Sequence, residues 1–246
     1  MKSRTEIITK PDLATLSEAA AAFCAGCAAS AVTARGRFAI ALTGGSSPRR
    51  LYELLAAPPW RTHVDWASWH VFWGDDRMVP PDHPDSNFRL AHETLLAHVP
   101  IPEAQIHRIP TEVGDRDHAA RAYEAELRAF FPVTDEGWPH FDLVLLGLGA
   151  DGHVASLFPG FPTLDESRRW VVGSPPGTLP PPIDRVTLTM PVLNAARKVA
   201  FIVAGADKAL AVQRALRGDW DVPAARVQPT DGSLHWFLDT AAASLA

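Results

Sequence analysis

Residues 141–153 have the sequence FDLVLLGLGADGH, in which a short apolar run ends at three glycines that lead to Asp151 and His153. An apolar run bounded by glycine is typical of a buried strand. Ligands of open α/β sheets bind at the carboxyl ends of the strands. The stretch therefore predicts an α/β fold in which His153 lies at a strand end, where it is available for chemistry.

The same glycines also fit the dinucleotide-binding pattern G-x-G-x-x-G, at Gly147, Gly149 and Gly152. That pattern is weak unless a helix begins at the third glycine and an acidic residue follows a second strand about 20 positions later. Here Pro159 and Pro162 leave room for about one helical turn. We therefore interpret the glycines as a site loop and expect no nucleotide cofactor.

Composition limits the function classes. The chain has 246 residues, 47% hydrophobic and 21% charged, which is typical of a globular protein and predicts one domain over 1–246. The net charge of −5 argues against a nucleic-acid partner. No apolar run approaches about 18 residues, and the Ala-rich segment 19–32 lacks the features of a secretory signal. We expect no membrane span, a cytoplasmic location, and a monomer or weak homo-oligomer.

Cysteine and histidine spacing predict no metal site. Cys24 and Cys27 form a C-x-x-C inside a helical segment, which we interpret as two buried, reduced thiols. Histidines such as His92 and His98 are too far apart in sequence to share a helical face.

Apolar runs alternate with helical patterns along the chain. Runs bounded by Gly, Pro or Asp predict strands at 38–42, 69–73, 141–146, 186–190, 199–203 and 234–238. Helical signals lie at 13–32, 49–56, 87–98, 116–130 and 208–216. This alternation predicts a doubly wound, Rossmann-like α/β fold, with a mostly parallel sheet and helices on both faces. The Pro-rich segment 174–182 predicts a surface loop.

The first of these strands ends in TGGSSP, which suggests a phosphate site. Gly44, Gly45 and Ser46 leave N–H groups and hydroxyls around a helix start, and Pro48 suits the first helical position. An ordinary turn with a serine cap explains the same residues equally well.

The second strand leads to Asp75 and Arg77. Arg77 is suited to bind a phosphate or a carboxylate, with a surface ion pair to Asp75 or Asp76 as the alternative. Asp75 is suited to orient a substrate hydroxyl. Ser86 and Asn87, at the following helix start, are typical caps.

The strand at 199–203 leads to Asp207 and Lys208. Asp207 has the character of an N-cap, which places Lys208 in a first helical turn, where the helix dipole disfavours a cation. Together with Arg77 and the Gly44–Gly45 turn, this lysine suggests a bound anion; exposure to solvent is the alternative.

His153 lies among these groups without a metal pattern or a G-x-S-x-G nucleophile motif. A histidine beside an anion site, without metal or nucleophile, is suited to act as a general base. A purely structural histidine is the alternative.

At these residues the chain resembles the 6-phosphogluconolactonase family, within the superfamily that also contains glucosamine-6-phosphate isomerases. The resemblance covers nearly the whole chain. It rests on separated blocks in the right order, at 43–48, 73–80, 86–87, 147–160, 185–189, 194, 205–208 and 236–239. One departure is Asp76, where the family usually has glutamate before the arginine.

The resemblance implies hydrolysis of 6-phospho-D-glucono-1,5-lactone to 6-phosphogluconate in the oxidative pentose phosphate pathway, with no obligatory cofactor and no metal. It implies that His153 activates water and that backbone N–H groups near Gly149 to Gly152, or Arg77, meet the oxyanion. The implied catalytic residues are His153, Asp75 and Arg77. The implied substrate and phosphate contacts are Gly44, Gly45, Ser46, Arg77, Asn87, Asp151, Gly152 and Lys208.

Two other functions are alternatives to lactone hydrolysis. Glucosamine-6-phosphate deaminases resemble the chain at Asp151–His153, but they carry a proton-relaying glutamate where this chain has Phe158. A non-catalytic sugar-phosphate sensor is disfavoured because no segment is left over for a DNA-binding helix-turn-helix.

Overall fold

The computed structural model describes residues 4–133, 137–178 and 180–246. Its strands are β1 (Arg4–Lys10), β2 (Phe38–Leu42), β3 (Trp69–Trp73), β4 (Asp75–Arg77), β5 (Leu143–Leu146), β6 (Val171–Ser174), β7 (Arg185–Leu188), β8 (Lys198–Val203) and β9 (Ser233–Asp239). Its α-helices are α1 (Leu13–Arg35), α2 (Ser46–Leu55), α3 (Trp60–His63), α4 (Asn87–Thr94), α5 (Arg116–Phe130), α6 (Met190–Ala195) and α7 (Ala209–Leu216). Short 3₁₀ turns include Leu96–His98, Pro162–Asp165 and Ala206–Lys208.

The main sheet has six strands in the order β1-β9-β8-β5-β2-β3, and every neighbouring pair is parallel. The inner strands are almost wholly buried, as the continuous apolar runs predict; all five residues of β2 are buried. Burying each large aliphatic or aromatic side chain contributes about 1.5–3 kcal/mol. The predicted α/β fold with a parallel sheet is confirmed.

The chain reverses its winding direction between β2 and β5. It adds β3 on one side of β2, then returns to place β5, β8 and β9 on the other side. Such a switch point opens a crevice at the carboxyl ends of the two central strands. The loops at 43–45 and 147–153 therefore begin next to each other.

A second sheet has three antiparallel strands in the order β4-β7-β6. Its strand β7 was predicted at 186–190 as part of the main sheet; instead it ends at Leu188, and Met190 begins α6. Because β4 directly follows β3, this small sheet forms one wall beside the carboxyl edge of the large one.

Helix α1 lies over the main sheet. Asp12 caps it by accepting a hydrogen bond from the Thr15 N–H at 2.8 Å, and Gly36 ends it in the left-handed conformation. It is long and apolar enough to span a membrane, so the expectation that no segment is long and apolar enough is wrong. Its inner face, however, is buried against α2, β2 and β9. We interpret it as a core helix.

The predicted cysteine environment is also confirmed. Cys24 and Cys27 are free thiols buried in α1. Burial raises the pKa of the Cys27 thiol to about 11, so this thiol stays protonated near neutral pH.

Four of the five predicted helices have bounds that differ from the predictions. Helix α1 extends to Arg35, three residues beyond its predicted end, and α2 spans Ser46–Leu55 in place of 49–56. The helix predicted at 87–98 ends at Thr94, because the backbone leaves helical geometry at Leu95 (φ −133°, ψ −63°). The helix predicted at 208–216 starts one residue later, after a 3₁₀ turn at Ala206–Lys208. In the Pro-rich segment, residues 175–178 and 180–182 form a loop as expected, and Leu179 lies outside the described residues.

Candidate active site

A cleft of about 210 Å³ lies at the switch point, at the carboxyl ends of β2, β5 and β8 and beside β4. Its walls bring together side chains that are far apart in sequence. They include the predicted residues Gly44, Gly45, Ser46, Asp75, Arg77, Asn87, His153 and Lys208.

The loop after β2 presents an uncapped helix N-terminus to the cleft. Helix α2 begins at Ser46, and its N-cap residue Gly45 provides no side-chain hydrogen bond, so first-turn N–H groups are left free. Pro48 therefore occupies the third helical position rather than the predicted first one, where its missing N–H costs equally little. The Tyr52 hydroxyl anchors the loop by donating to the Thr43 carbonyl at 2.7 Å and accepting from the Thr43 N–H at 3.0 Å.

Asp75 lies on the cleft wall and is almost fully buried. Its Oδ2 accepts a hydrogen bond from the Ser156 hydroxyl at 2.6 Å, and Asn87 Nδ2 donates to its Oδ1 at 3.3 Å and to its backbone carbonyl at 2.9 Å. These contacts fix the carboxylate, and they tie β4 to the loop that carries His153.

Asp76 does not line the cleft. Its carboxylate caps α4, accepting from the N–H groups of Asn87 (2.7 Å) and Phe88 (3.0 Å), and it also accepts from the Arg77 N–H at 2.8 Å. Burial raises the pKa of Asp76 to about 6, against the lowering effect of these donors. Asp76, although shorter than the glutamate that the family usually has here, thus caps helix α4.

Arg77 and Arg185 face each other across the pairing of β4 with β7, and both line the cleft. Neither has a carboxylate within 4.0 Å among the described residues, so the predicted alternative of an Asp75 or Asp76 ion pair is wrong. The Nε atom of each guanidinium is buried and has no hydrogen-bond partner within residues 4–133, 137–178 and 180–246. Like charges placed opposite each other are unfavourable unless an anion lies between them.

The family resemblance includes Arg185 in the block 185–189 but implies no role for it in the site. The residue is 3% exposed, and burial lowers the pKa of its guanidinium. Its one side-chain hydrogen bond among the described residues goes to the Pro181 carbonyl, at 3.3 Å. Its signal in the sequence is an arginine at the start of a short, fully buried strand.

His153 is held by the carboxylate of Asp151. Its Nδ1 lies 2.6 Å from Asp151 Oδ1. Because an ionised carboxylate only accepts, Nδ1 carries the proton and Nε2 is left as the basic atom. Although burial acts to raise it, the hydrogen bond and charge of His153 hold the pKa of Asp151 below its usual value. This is the geometry of an oriented general base.

The glycines of this loop make room for the pair. A Cβ on Gly149 would overlap His153 Nδ1 and Asp151 Oδ1, so only glycine fits there. The N–H groups of Gly149 and Gly152 donate to the carbonyls of His153 (3.0 Å) and Gly149 (2.9 Å). These two N–H groups are therefore not free to meet an oxyanion, and the predicted donors that remain are the N–H groups of Ala150 and Asp151 and the Arg77 guanidinium.

Asp151 and Gly152 lie behind the histidine rather than on the cleft wall. Asp151 is turned toward His153, and Gly152, with φ at +86°, packs against Val222. The geometry gives both residues a positioning role in place of the expected substrate contact.

Lys208 reaches the cleft from the end of β8. It occupies the N-cap position of α7, so Asp207 is not the cap that the sequence predicted. Its Nζ lies 3.1 Å from Asp207 Oδ2, and the Asp207 side chain is 66% exposed. This solvated pairing leaves the ammonium available to an anion in the cleft.

Across the described residues, no group of three or more His, Cys, Asp or Glu side chains is arranged to hold a metal ion.

The family model for glucosamine-6-phosphate isomerases/6-phosphogluconolactonase matches residues 11–236. The chain belongs to this family. A 6-phosphogluconolactonase of Synechocystis sp. is 46% identical over 213 residues, which cover 85% of each chain. The chloroplastic 6-phosphogluconolactonase 3 of Arabidopsis thaliana is 42% identical over 216 residues, covering 85% of this chain and 66% of that one. The solved 6-phosphogluconolactonase of Trypanosoma brucei matches with a TM-score of 0.89 and 29% identity, over 98% of both chains.

The family description names two kinds of enzyme, glucosamine-6-phosphate isomerases and 6-phosphogluconolactonases. The residue in contact with His153, Phe158, helps to distinguish them. Phe158 is buried, and its ring centroid lies 4.9 Å from that of His153. An apolar ring in contact with the imidazole cannot relay a proton.

Proposed function

We propose that this chain hydrolyses 6-phospho-D-glucono-1,5-lactone to 6-phosphogluconate. The observation that carries the proposal is the His153–Asp151 pair in a cleft whose other walls supply cationic groups and a free helix N-terminus. The names of the relatives support the same reaction.

In the proposed reaction, His153 Nε2 takes a proton from a water molecule as its oxygen attacks C1 of the lactone. The bond between C1 and the ring oxygen then breaks, and the imidazolium returns the proton to that oxygen. Asp151 stabilises the imidazolium through Nδ1 without taking up the proton itself. Asp75, fixed by Ser156 and Asn87, orients a hydroxyl of the sugar.

The 6-phosphate is proposed to bind where the cationic groups meet the start of α2. The N–H groups of the loop at Gly44, Gly45 and Ser46 donate to it, and Lys208, Arg77 and Arg185 supply the charge. A phosphate also removes the repulsion between the two facing arginines. Of the predicted donors to the developing oxyanion, the N–H groups of Ala150 and Asp151 and the Arg77 guanidinium remain.

Deamination of glucosamine 6-phosphate is the weaker candidate because Phe158 fills the place of the relaying carboxylate.

We place the enzyme in the cytoplasm as a monomer or weak homo-oligomer, without nucleic-acid or membrane partners. The Arabidopsis relative is chloroplastic by name, so the compartment is a proposal for this chain alone.

A coupled assay tests the function. Glucose-6-phosphate dehydrogenase supplies fresh lactone, and 6-phosphogluconate dehydrogenase reports the product as NADPH. We expect the protein to raise the rate well above the spontaneous opening measured without it. A rate equal to the spontaneous one would contradict the proposal.

A further inference from the structure

A second, more open groove joins the cleft. It has a volume of about 440 Å³ and shares Gly45, Ser46, Arg77 and Asn87 with the cleft. It extends outward between the first turn of α2 and helix α4, where Arg49 and Arg89 line it. The two spaces therefore meet at the same helix start and the same arginine.

The groove carries an excess of positive charge. Arg89 Nε pairs with Glu93 Oε1 at 2.6 Å, whereas Arg49 has no carboxylate within 4.0 Å among the described residues. Arg77 donates from Nη1 to the Asp85 carbonyl at 2.7 Å, and its buried Nε has no hydrogen-bond partner in the part of the chain that the structure describes. Three guanidinium groups thus face one carboxylate, in a chain whose formal net charge is −5.

The positive charge of Arg49 stabilises the ionised form of the Glu93 carboxyl group. The hydrogen bond from Arg89, followed by the charges of Arg89 and Arg49, holds the pKa of Glu93 below its usual value. Glu93 is thus already paired, and the positive charge of Arg49 and Arg77 is left to attract a solute anion.

The proposed lactone has one phosphate, and the residues proposed to bind it all line the cleft. Adjoining anion sites that share a wall suit two phosphoryl groups joined by one bridging oxygen. We propose that the cleft and the groove together bind a diphosphate, with one phosphoryl group at the start of α2 in the cleft and the other against Arg49 and Arg77. Diphosphates would then compete with the lactone. This inference rests on the proposed phosphate site in the cleft.

Calorimetric titration with inorganic pyrophosphate and inorganic phosphate tests the inference. Pyrophosphate should bind the wild-type protein at least roughly tenfold more tightly, because a second charge-assisted contact is added. Arg49→Gln should weaken pyrophosphate binding by roughly threefold to tenfold and leave phosphate binding unchanged.

The matched control is Arg50→Gln, which removes the same charge from the next residue of α2. Arg50 pairs with Glu53 at 3.3 Å and does not line the groove, so pyrophosphate binding should stay at the wild-type value. Equal losses in both variants would overturn the proposal, because they would show a general charge effect. So would equal affinity for the two anions in the wild-type protein.

The same titration with ADP identifies the source of the diphosphate. ADP binding that depends on Arg49 supports a nucleoside diphosphate, and pyrophosphate binding without ADP binding supports the free anion.

The lactonase rate of the same samples separates this inference from the proposed function. A wild-type protein that hydrolyses the lactone but binds pyrophosphate no better than phosphate overturns only the diphosphate site, whereas Arg49-dependent binding without hydrolysis overturns only the function.

Discussion

Which nitrogen of His153 carries the proton depends on one neighbouring carboxylate. Asp151 accepts from Nδ1 and so leaves Nε2 basic. An amide in its place offers an NH₂ group to Nδ1, which moves the proton to Nε2 and removes the base.

We therefore expect Asp151→Asn to lower kcat by roughly 10²–10⁴-fold while KM changes little, since Asp151 does not line the cleft. Steady-state kinetics on the phosphorylated lactone measure both constants. A variant with normal kcat would show that the tautomer of His153 does not matter.

The phosphate contact of Lys208 is tested by changing the substrate. Lys208→Ala should lower kcat/KM for the phosphorylated lactone at least roughly tenfold, because one charge-assisted contact is lost. Against unphosphorylated glucono-1,5-lactone the same variant should match the wild-type protein. Lys198→Ala, at the opposite end of β8, is the control and should be normal on both substrates. Equal impairment of Lys208→Ala on the two lactones would remove it from the phosphate site.

At the scale of elements, a buried hydrogen bond joins the small sheet to the histidine loop. Ser156 is fully buried, and its hydroxyl donates to Asp75 Oδ2 at 2.6 Å. Ser156→Ala leaves that carboxylate oxygen without its donor, so we expect kcat/KM to fall roughly tenfold. Ser17→Ala removes another buried hydroxyl, on α1, and should leave kcat/KM unchanged. If both variants lose activity in proportion to stability, the Ser156 contact serves the fold alone.

The elements that sequence reasoning predicted best are those whose burial pattern is continuous. Strands β2 and β3 have the predicted bounds because every residue of β2, and nearly every residue of β3, faces the core. Strand β1 was missed because it is an edge strand with mostly exposed residues, and β4 because its three residues are all charged. Neither strand produces an apolar run.

The candidate site was predictable to the extent that parallel strands bring their carboxyl ends to one edge. That rule placed His153, Asp75, Arg77 and Lys208 together. It could not place Arg185, because antiparallel pairing with β4 is a tertiary contact between residues far apart in sequence.

For the whole molecule, acid stability depends partly on a histidine on β3, away from the cleft. Burial, together with the charges of His107 and Arg37, lowers the pKa of His70 to about 4, from 6.5. Between these two values the unfolded chain binds a proton that the folded chain does not, so acidification through this range favours unfolding.

We expect the Tm of His70→Gln to fall less than that of the wild-type protein between about pH 7 and about pH 5. His118→Gln changes an exposed histidine on α5 and should show the wild-type fall. Identical falls in all three proteins would show that His70 does not contribute to the acid response.

The lactonase activity and the role of His153 as its base are tested together by comparing two proteins. Wild-type protein and His153→Ala are assayed on freshly generated 6-phospho-D-glucono-1,5-lactone, with spontaneous opening subtracted and folding checked by thermal melting. We predict that the wild-type protein accelerates hydrolysis and that His153→Ala loses roughly 10²–10⁴-fold in kcat with a similar KM. Near-wild-type turnover by the folded His153→Ala protein would show that His153 is not the base.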